Sequence, residues 1–313
     1  MDRRAFLLSG AFGVAAVRPA TAAIDPTMTE LRGTHDPAPL ALRPELSIDQ
    51  GTILQAMLDQ AYLQDRPLIL PAGRFVVSGI RLPPRTRLLG VAGATRLVLG
   101  ETGSMLSAED GETIVLRDLV IEAQGEKLEA YVPALIHLAG CANVAIETCE
   151  LIGSPASGIV LERSSGRIRD VRVIRAASAG IRAVESTGLS ILDNTIEDCG
   201  SGGIQVWRWQ EGEDGTIVSG NRISRISASD TGPGETGHGI SVFRAHGVLV
   251  ANNSVTDCVH SAVRANASED IRILGNSCRR TGAEAISTAY GCAGAVVANN
   301  VGAADGLEIR STL

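Results

Sequence analysis

The stretch that decides the fold is residues 194–206, Asn-Thr-Ile-Glu-Asp-Cys-Gly-Ser-Gly-Gly-Ile-Gln-Val. Residues 149–161 and 171–183 align with it as an apolar run followed by a Gly-Ile pair. The first half of the pattern recurs at 221, 253, 276 and 300, so that successive repeats begin 22 to 32 residues apart. A period of this size is typical of solenoids, in which each repeat contacts only its neighbours.

Apolar residues alternate with polar ones along short runs of each repeat, such as Gly203-Ile-Gln-Val206. Alternation with period two indicates strands, and neither a heptad nor a leucine-rich consensus accompanies it. We therefore predict an all-β, single-stranded solenoid, a parallel β-helix, with strands stacked in register about 4.8 Å apart. Like residues of successive coils then lie over one another, which predicts an internal, structural ladder of asparagines: Asn194, Asn221, Asn253, Asn276 and Asn300.

One amphipathic helix is expected over 48–65, after a proline-containing linker over 23–47. Its apolar residues have the spacing of a single helix face: Ile53, Leu54, Met57, Leu58 and Ala61. The turn Leu70-Pro-Ala-Gly73 and short β-rich runs follow. This order closely resembles the start of pectin-lyase-like right-handed β-helices, in which a helix caps the first coil. The resemblance implies a right-handed parallel β-helix over 66–313 with an N-terminal capping helix.

The first 22 residues have the pattern of a targeting segment. Arg3 and Arg4 precede an apolar run from Leu7 to Val17, and Ala20-Thr21-Ala22 offers small residues for cleavage. We interpret 1–22 as a twin-arginine signal, which predicts a periplasmic or secreted protein. An ordinary secretory signal and a short membrane anchor are the alternatives, but the run is too short to span a bilayer. No stable membrane span is expected once the signal is removed.

The net charge of the chain narrows the choice of partners. Removal of residues 1–22 takes away three arginines and one aspartate, which moves the formal charge from −7 to −9. Such an acidic domain argues against nucleic acid as a partner.

The six cysteines are expected to be mostly small buried hydrophobes rather than disulfides. Twin-arginine substrates fold in the reducing cytoplasm, and Cys199 and Cys258 would lie two coils apart, which is too far for a disulfide.

The register also predicts which side chains point outward, since these flank each inward Ile or Val. The predicted polar strip contains His238, Ser261 and Glu284 in three coils, and Arg182, Gln205, Ser241, Arg264 and Ser287 in one column. Trp207 and Phe243 fall in adjacent coils, with Tyr290 one residue off their column. Two coils are longer than the rest, so loops are expected at Trp207–Gly215 and Ser227–His238.

Aromatic side chains beside His, Arg and a carboxylate suit carbohydrate, because rings stack on sugars and Arg pairs with uronates. The candidate catalytic residues are His238, Arg264 and Glu284, and the candidate substrate-binding residues are Trp207, Phe243, Arg244, Gln205, Ser241 and Tyr290. The alternative is a structural role, in which the loops cover the aromatic residues and Arg264 pairs with Glu284. No metal or cofactor is predicted, although Glu211, Glu213 and Asp214 leave calcium open.

Several segments resemble a family of twin-arginine-translocated bacterial repeat proteins of unknown function. The segments are the signal, Leu70–Phe75, Gly237–Arg244, Ser261–Asn266 and Ile273–Asn276. This resemblance implies a fold and a compartment without an activity. Gly237-His238-Gly239 separately resembles polygalacturonase-like glycoside hydrolases, but the additional aspartate motifs of those enzymes are missing here.

The leading hypothesis is an exported β-helix that binds, and cleaves or epimerises, a polysaccharide, as a lyase, hydrolase or epimerase. A non-catalytic envelope or assembly scaffold is the first alternative. A truncated, inactive paralogue is the second, since members of the repeat family continue through further coils while this chain stops at Leu313. The strand-like run Leu307–Arg310 would leave an exposed edge there, which predicts self-association through the C-terminal coil.

Overall fold

The computed structural model describes residues 41–100, 105–125, 133–228 and 236–302, and the backbone of 309–311. In these ranges one helix, α1 (Gly51–Leu63), is followed by thirty strands, β1 to β30. The strands form three parallel ten-stranded sheets, and each coil of the chain contributes one strand to each sheet. The predicted parallel β-helix with an N-terminal helix is confirmed. The predicted signal peptide and the linker as far as residue 40 lie outside the described residues.

The three sheets run the length of the solenoid. The first contains β1 (Leu68–Ile69), β4 (Arg85–Leu89), β7 (Thr113–Arg117), β10 (Val144–Glu147), β13 (Gly166–Arg169), β16 (Ser190–Leu192), β19 (Ile217–Ser219), β22 (Leu249–Ala251), β25 (Arg272–Leu274) and β28 (Val296–Ala298). The second contains β2 (Gly73–Val77), β5 (Thr95–Leu99), β8 (Val120–Glu122), β11 (Glu150–Ile152), β14 (Arg172–Ile174), β17 (Thr195–Glu197), β20 (Arg222–Ile226), β23 (Ser254–Cys258), β26 (Ser277–Thr281) and β29 (Val301–Gly302). The third contains β3 (Ile80–Arg81), β6 (Leu106–Glu109), β9 (Ala134–Ala139), β12 (Ser157–Glu162), β15 (Ala179–Val184), β18 (Gly202–Glu213), β21 (His238–His246), β24 (Val263–Asn266), β27 (Ile286–Ala289) and β30 (Ile309–Ser311).

The core is a stack of mainly aliphatic side chains contributed by all three sheets. In the third sheet the inward column is fully buried and consists of Leu106, Ile136, Ile159, Ile181, Ile204, Ile240, Val263 and Ile286. Glycine precedes several of these residues because a larger residue would clash with the next coil. A Cβ on Gly203 would lie 2.4 Å from the Gly239 carbonyl oxygen of the next coil. The Gly-Ile pair of the repeat therefore lets neighbouring coils approach closely.

The asparagine ladder is confirmed in full. The Nδ2 of each of the first four asparagines donates to the Oδ1 of the next at 2.9–3.0 Å, in the order Asn194, Asn221, Asn253, Asn276 and Asn300. The same Oδ1 atoms accept the backbone N–H of the preceding asparagine. The ladder therefore satisfies buried polar groups at the turn between the first and second sheets.

Helix α1 begins and ends inside the predicted range and packs against the first coil. Leu54, Leu58 and Ala61 are buried, while Ile53 and Met57 pack against the core from a partly exposed position. No helix within the described ranges is long and apolar enough to cross a membrane.

The cysteines have the predicted character. All six thiols are free, five are buried and Cys292 is half-buried. Burial raises the pKa of Cys149, Cys199 and Cys258 to about 12. These side chains therefore fill the core as neutral groups.

The first of the two long coils differs from the prediction. A loop was expected over Trp207–Gly215, but β18 continues in strand conformation to Glu213. The chain stays extended because β21 is also long and pairs with both ends of the insertion. The second expected loop falls mostly at residues 229–235, outside the described residues, and β21 begins directly after it at His238.

In the last coil of the solenoid, the backbone of β30 pairs with the backbone of β27.

Candidate functional site

The outer face of the third sheet carries two columns of side chains that alternate with the core residues. The first column is Ser107, His137, Val160, Arg182, Gln205, Ser241, Arg264 and Ser287. The second column is Glu109, Ala139, Glu162, Val184, Trp207, Phe243, Asn266 and Ala289. The predicted column from Arg182 to Ser287 and the predicted pairing of Trp207 with Phe243 are confirmed.

A bulge interrupts this register beside Trp207. Trp207 pairs with Phe243, and pairing resumes at Gly212 and Ala245, so that residues 208–211 lie opposite Arg244 alone. Extra residues in one strand bend it away from the sheet. Trp209 stands on the bulge with 69% of its surface exposed.

The bulge is braced at both ends. The guanidinium of Arg208 pairs with Glu185 at 3.2 Å and donates to the Ser186 carbonyl oxygen at 3.3 Å. Glu185 Oε1 accepts the backbone N–H of Trp209, and Arg244 Nη1 donates to the Trp209 carbonyl oxygen at 2.6 Å. Both backbone polar groups of Trp209 are thus held by side chains, which orders the exposed ring's attachment to the sheet.

Two small cavities adjoin the aromatic patch, which we define as Trp207, Trp209 and Phe243. One, of about 110 Å³, is lined by Val184, Arg208 and the whole patch. The other, of about 140 Å³, is lined by Pro133, Val160, Glu162, Arg163, Arg182, Val184, Trp207 and Trp209. Both tryptophans of the chain therefore separate an apolar cavity from one that contains charged groups.

Residues that line the charged cavity make three contacts with side chains of neighbouring coils. Glu162 Oε1 lies 3.2 Å from His137 Nε2, and both side chains are about one-third exposed. Arg182 donates from Nε to Gln205 Oε1 at 2.7 Å and from Nη2 to Ser178 Oγ at 3.1 Å. Its guanidinium carbon lies 5.1 Å from the Trp207 ring centroid. Burial lowers the pKa of Arg182, but a guanidinium keeps its charge at neutral pH.

Four residues of the predicted outward-facing polar strip are buried. Gln205 and Ser241 are 1% exposed, Ser261 is 2% exposed and His238 is 3% exposed. Gln205 and Ser241 lie on the outer face but under longer neighbours: Arg182 hydrogen-bonds to Gln205, and Trp207 Nε1 donates to Ser241 Oγ at 3.4 Å. His238 Nδ1 accepts the Ser261 backbone N–H at 3.2 Å, and its ring packs 5.3 Å from that of His260. The His238 side chain, predicted as catalytic, is therefore buried, and its Nδ1 is engaged by the backbone of the next coil.

The other predicted residues are accessible, at different distances from the patch. Arg264 and Glu284 are half-buried and follow His238 in the next two coils, as predicted. Arg244 stacks its guanidinium 4.7 Å from the Phe243 ring centroid, next to the patch. Tyr290 is 72% exposed and follows Ala289, two coils beyond Phe243, so it does not join the patch.

Several residues of the site were not identified from the sequence. His137 and Glu162 lie in the same two columns as the predicted strip, two coils and one coil before Arg182 respectively, and extending the alignment towards the N-terminus would have found them. Trp209 was assigned to a loop, so its return to the sheet was not expected. Glu185, which braces the bulge, carries no sequence signal that distinguishes it from other surface carboxylates.

The acidic cluster that left calcium open is not arranged as a metal site. Across the residues described, no three His, Cys, Asp or Glu side chains come together as metal ligands. Asp214 is buried, its Oδ1 accepts the Thr216 N–H at 3.1 Å, and its Oδ2 lies 4.0 Å from Arg208. Burial raises the pKa of this carboxyl group.

Comparison with known proteins supports the fold. A search of curated proteins by sequence finds no match. The A-modules of Azotobacter vinelandii mannuronan C-5 epimerases AlgE6 and AlgE4 align with TM-scores of 0.57 and 0.51 at 15% and 16% identity. The alignments cover 83% and 79% of this chain, and 98% and 79% of those chains. The enzymatically active domain of bacteriophage CBA120 tailspike protein 2 aligns with a TM-score of 0.53 at 15% identity, over 82% of this chain and 41% of that chain.

At such identities a structural likeness shows the fold alone. The family model described as right handed beta helix region matches residues 109–223 and 134–306, which together span more than half of the sequence. This match and the three parallel sheets confirm the predicted right-handed parallel β-helix. The chain belongs to the right-handed β-helix family.

Proposed function

We propose that this protein binds a polysaccharide across the aromatic patch on the outer face of the third sheet. The observation that carries the proposal is Trp209, which is 69% exposed yet has both backbone polar groups held by side chains of neighbouring coils. A large exposed aromatic ring on an ordered strand is unfavourable for solubility, so a binding role accounts for it. Indole rings stack on the C–H faces of sugars.

The arrangement around the ring supports a chain-like ligand. Cavities lie on two sides of the tryptophan pair, one apolar and one with charged and hydrogen-bonding groups. Successive units of a polymer could occupy both cavities with the ring of Trp209 between them. Two structural neighbours are named as mannuronan epimerases, and a third is a tailspike domain named as enzymatically active. They support a polysaccharide ligand by analogy of fold only.

Affinity electrophoresis and calorimetry against a panel of neutral and acidic polysaccharides test the proposal. We expect Trp209→Ala to weaken binding about tenfold, because one stacking contact is lost. Tyr290→Ala is the matched control, since it removes an equally exposed aromatic ring outside the patch. A protein that binds no polysaccharide, or a Trp209→Ala variant that binds as well as the wild type, would contradict the proposal. The first result would favour an assembly scaffold.

Catalysis on the bound chain is the second candidate function, and the His137–Glu162 pair favours it. A His hydrogen-bonded to a carboxylate is a common general base, and Glu162 of this pair lines the charged cavity. New reducing ends would indicate hydrolysis, unsaturated ends a lyase, and altered sugar signals in NMR spectra an epimerase. We expect His137→Gln and Glu162→Gln to abolish such products while the protein still binds. Arg264→Ala and Glu284→Gln test the residues predicted from the repeat.

Export by the twin-arginine route to the periplasm or beyond is part of the same proposal. It rests on Arg3 and Arg4 and agrees with six thiols that remain free in a folded chain. A variant with Arg3→Lys and Arg4→Lys should accumulate in the cytoplasm, as measured by cell fractionation. Unchanged export of this variant would favour an ordinary secretory signal.

A further inference from the structure

Arg182 is a charged group whose hydrogen-bonding partners are all neutral. Its guanidinium is bonded to the amide of Gln205 and the hydroxyl of Ser178 and lies over the ring of Trp207. Within the described part of the chain it forms no ion pair with a carboxylate. Withdrawing a permanent cation from water without a counter-ion is unfavourable, so such a group indicates a place for an anion.

Several arginines on the other sheets form ion pairs along the solenoid, and others, such as Arg222, Arg272 and Arg279, are exposed to solvent, whereas Arg182 is half-buried. Arg167 lies 2.5 Å from Glu147, Arg225 lies 2.6 Å from Asp198, and Arg280 lies 2.6 Å from Asp257. The surface of the solenoid thus supplies a carboxylate to these arginines but not to Arg182. This contrast separates Arg182 from the ion pairs that stabilise neighbouring coils.

Arg182 lines the charged cavity and has N–H donors left for a ligand. A guanidinium has five N–H donors, and the two hydrogen bonds to Gln205 and Ser178 use one on Nε and one on Nη2. Both Nη1 donors and the second Nη2 donor remain for a ligand in the cavity that Arg182 lines with Trp207 and Trp209. A planar fork of this kind matches a carboxylate with two parallel hydrogen bonds.

The orientation of the Arg182 guanidinium is fixed by the buried side chain of Gln205. Gln205 is 1% exposed, and its Oε1 holds the Nε of Arg182. The amide of Gln205 fits because Gly202 has no side chain: a Cβ there would lie 2.8 Å from Gln205 Nε2. The outward face of the guanidinium is therefore held in place before a ligand arrives, which reduces the entropy lost on binding.

We propose that Arg182 receives the carboxylate of a uronic acid unit, so that the ligand is an acidic polysaccharide rather than a neutral one. This inference rests on the proposed function and adds the substrate class. The negative net charge of the protein does not oppose it, because charges beyond a Debye length are screened while Arg182 acts in direct contact. Stacking on Trp209 and pairing with Arg182 then recognise the ring and the acid group of one chain.

The test compares each polyuronate of a panel with its carboxyl-reduced counterpart, in which the acid groups are converted to neutral alcohols. Polygalacturonate, polymannuronate and polyguluronate are the probes, and affinity is measured by calorimetry on the full folded chain. Arg182→Gln removes the charge, and Arg182→Lys keeps the charge without the fork. Arg225→Gln is the matched control, since it removes one arginine on another sheet. Circular dichroism establishes that each variant is folded.

We expect at least one polyuronate to bind, and its reduced form to bind about ten- to a hundredfold more weakly, as for the loss of a charge-assisted pair. Arg182→Gln should bind both forms equally weakly, Arg182→Lys should recover part of the difference, and Arg225→Gln should behave as the wild type. Equal affinity of Arg182→Gln and wild type for the acidic form, or binding of neutral glycans only, would overturn the inference. Loss of neutral-glycan binding in Trp209→Ala would leave the proposed function standing in that case.

Discussion

Replacement of one ladder asparagine tests how much the internal amide column contributes to stability. Asn253 is 1% exposed and lies in the middle of the ladder. Its Oδ1 accepts the backbone N–H and the Nδ2 of Asn221, both at 2.9 Å. Its Nδ2 donates to the Val218 carbonyl oxygen at 3.0 Å and to Asn276 Oδ1 at 2.9 Å. Asn253→Ala removes all four bonds in a region that is shielded from solvent.

The largest part of the penalty comes from Asn221, which loses the acceptor of two donors. Asn276 Oδ1 keeps the backbone N–H of residue 253, so it remains satisfied. Each buried donor left without a partner costs about 1–3 kcal/mol, which gives a loss of about 2–6 kcal/mol for Asn253→Ala. Asn300→Ala removes the same kind of acceptor from Asn276, but Asn300 is half-buried and water can replace it. We expect a loss of only about 1 kcal/mol there.

Urea denaturation followed by circular dichroism measures these differences at equal protein concentration. The control is Asn143→Ala, which removes an exposed side chain that donates to the Glu112 carbonyl oxygen at 3.0 Å. A surface change of this kind should alter the free energy of unfolding by less than about 0.5 kcal/mol. If Asn253→Ala costs no more than Asn143→Ala, the ladder does not stabilise the fold in the way argued above.

Three further predictions concern charge, thiols and the bulge. The Arg280 guanidinium lowers the pKa of Asp257 to about 2, so Arg280→Gln should raise it towards 4 in an NMR titration. Because the folded-state pKa is the lower one, the pair's contribution is present above about pH 4 and is lost as the pH falls towards 2. A thiol reagent at pH 8 should modify the half-buried Cys292 first and the other cysteines only on unfolding, and rapid labelling of several thiols would contradict this. Glu185→Gln should loosen the bulge and increase acrylamide quenching of Trp209 fluorescence, and unchanged quenching would show that the brace is dispensable.

The core and the ladder could be predicted from the sequence because they repeat. Asn253 occupies the same place in its coil as Asn221 and Asn276, so an alignment of coils predicts that their amides stack. The same holds for the inward isoleucines, such as Ile204 and Ile240, whose side chains pack on their own kind. Stacking at a fixed strand spacing converts a position in the alignment directly into a position in space.

The burial of the polar strip could not be predicted in this way. Period-two alternation predicts that the side chains of Gln205 and Ser241 point away from the core, but it does not predict which side chains cover them. Their cover comes from Arg182 and Trp207, long side chains whose direction depends on rotamers and on a bulge. His238 is buried for a related reason, since the ring of His260 packs against it. Outward direction and solvent exposure are separate properties wherever long side chains lie flat on a sheet.

The break in the repeat explains why the candidate site lies where it does. In regular coils each outward side chain lies over one residue of the coil above and one of the coil below, and opposite charges of neighbouring coils can pair, as Arg225 does with Asp198. At residues 208–211 this regularity stops, because four residues face Arg244 alone. The bulge lifts Trp209 away from the sheet, and beside it the half-buried Arg182 has an amide and a hydroxyl as hydrogen-bonding partners. An exposed ring and an uncompensated cation therefore occur together, and a ligand that offers both a sugar face and an acid group satisfies the two at once.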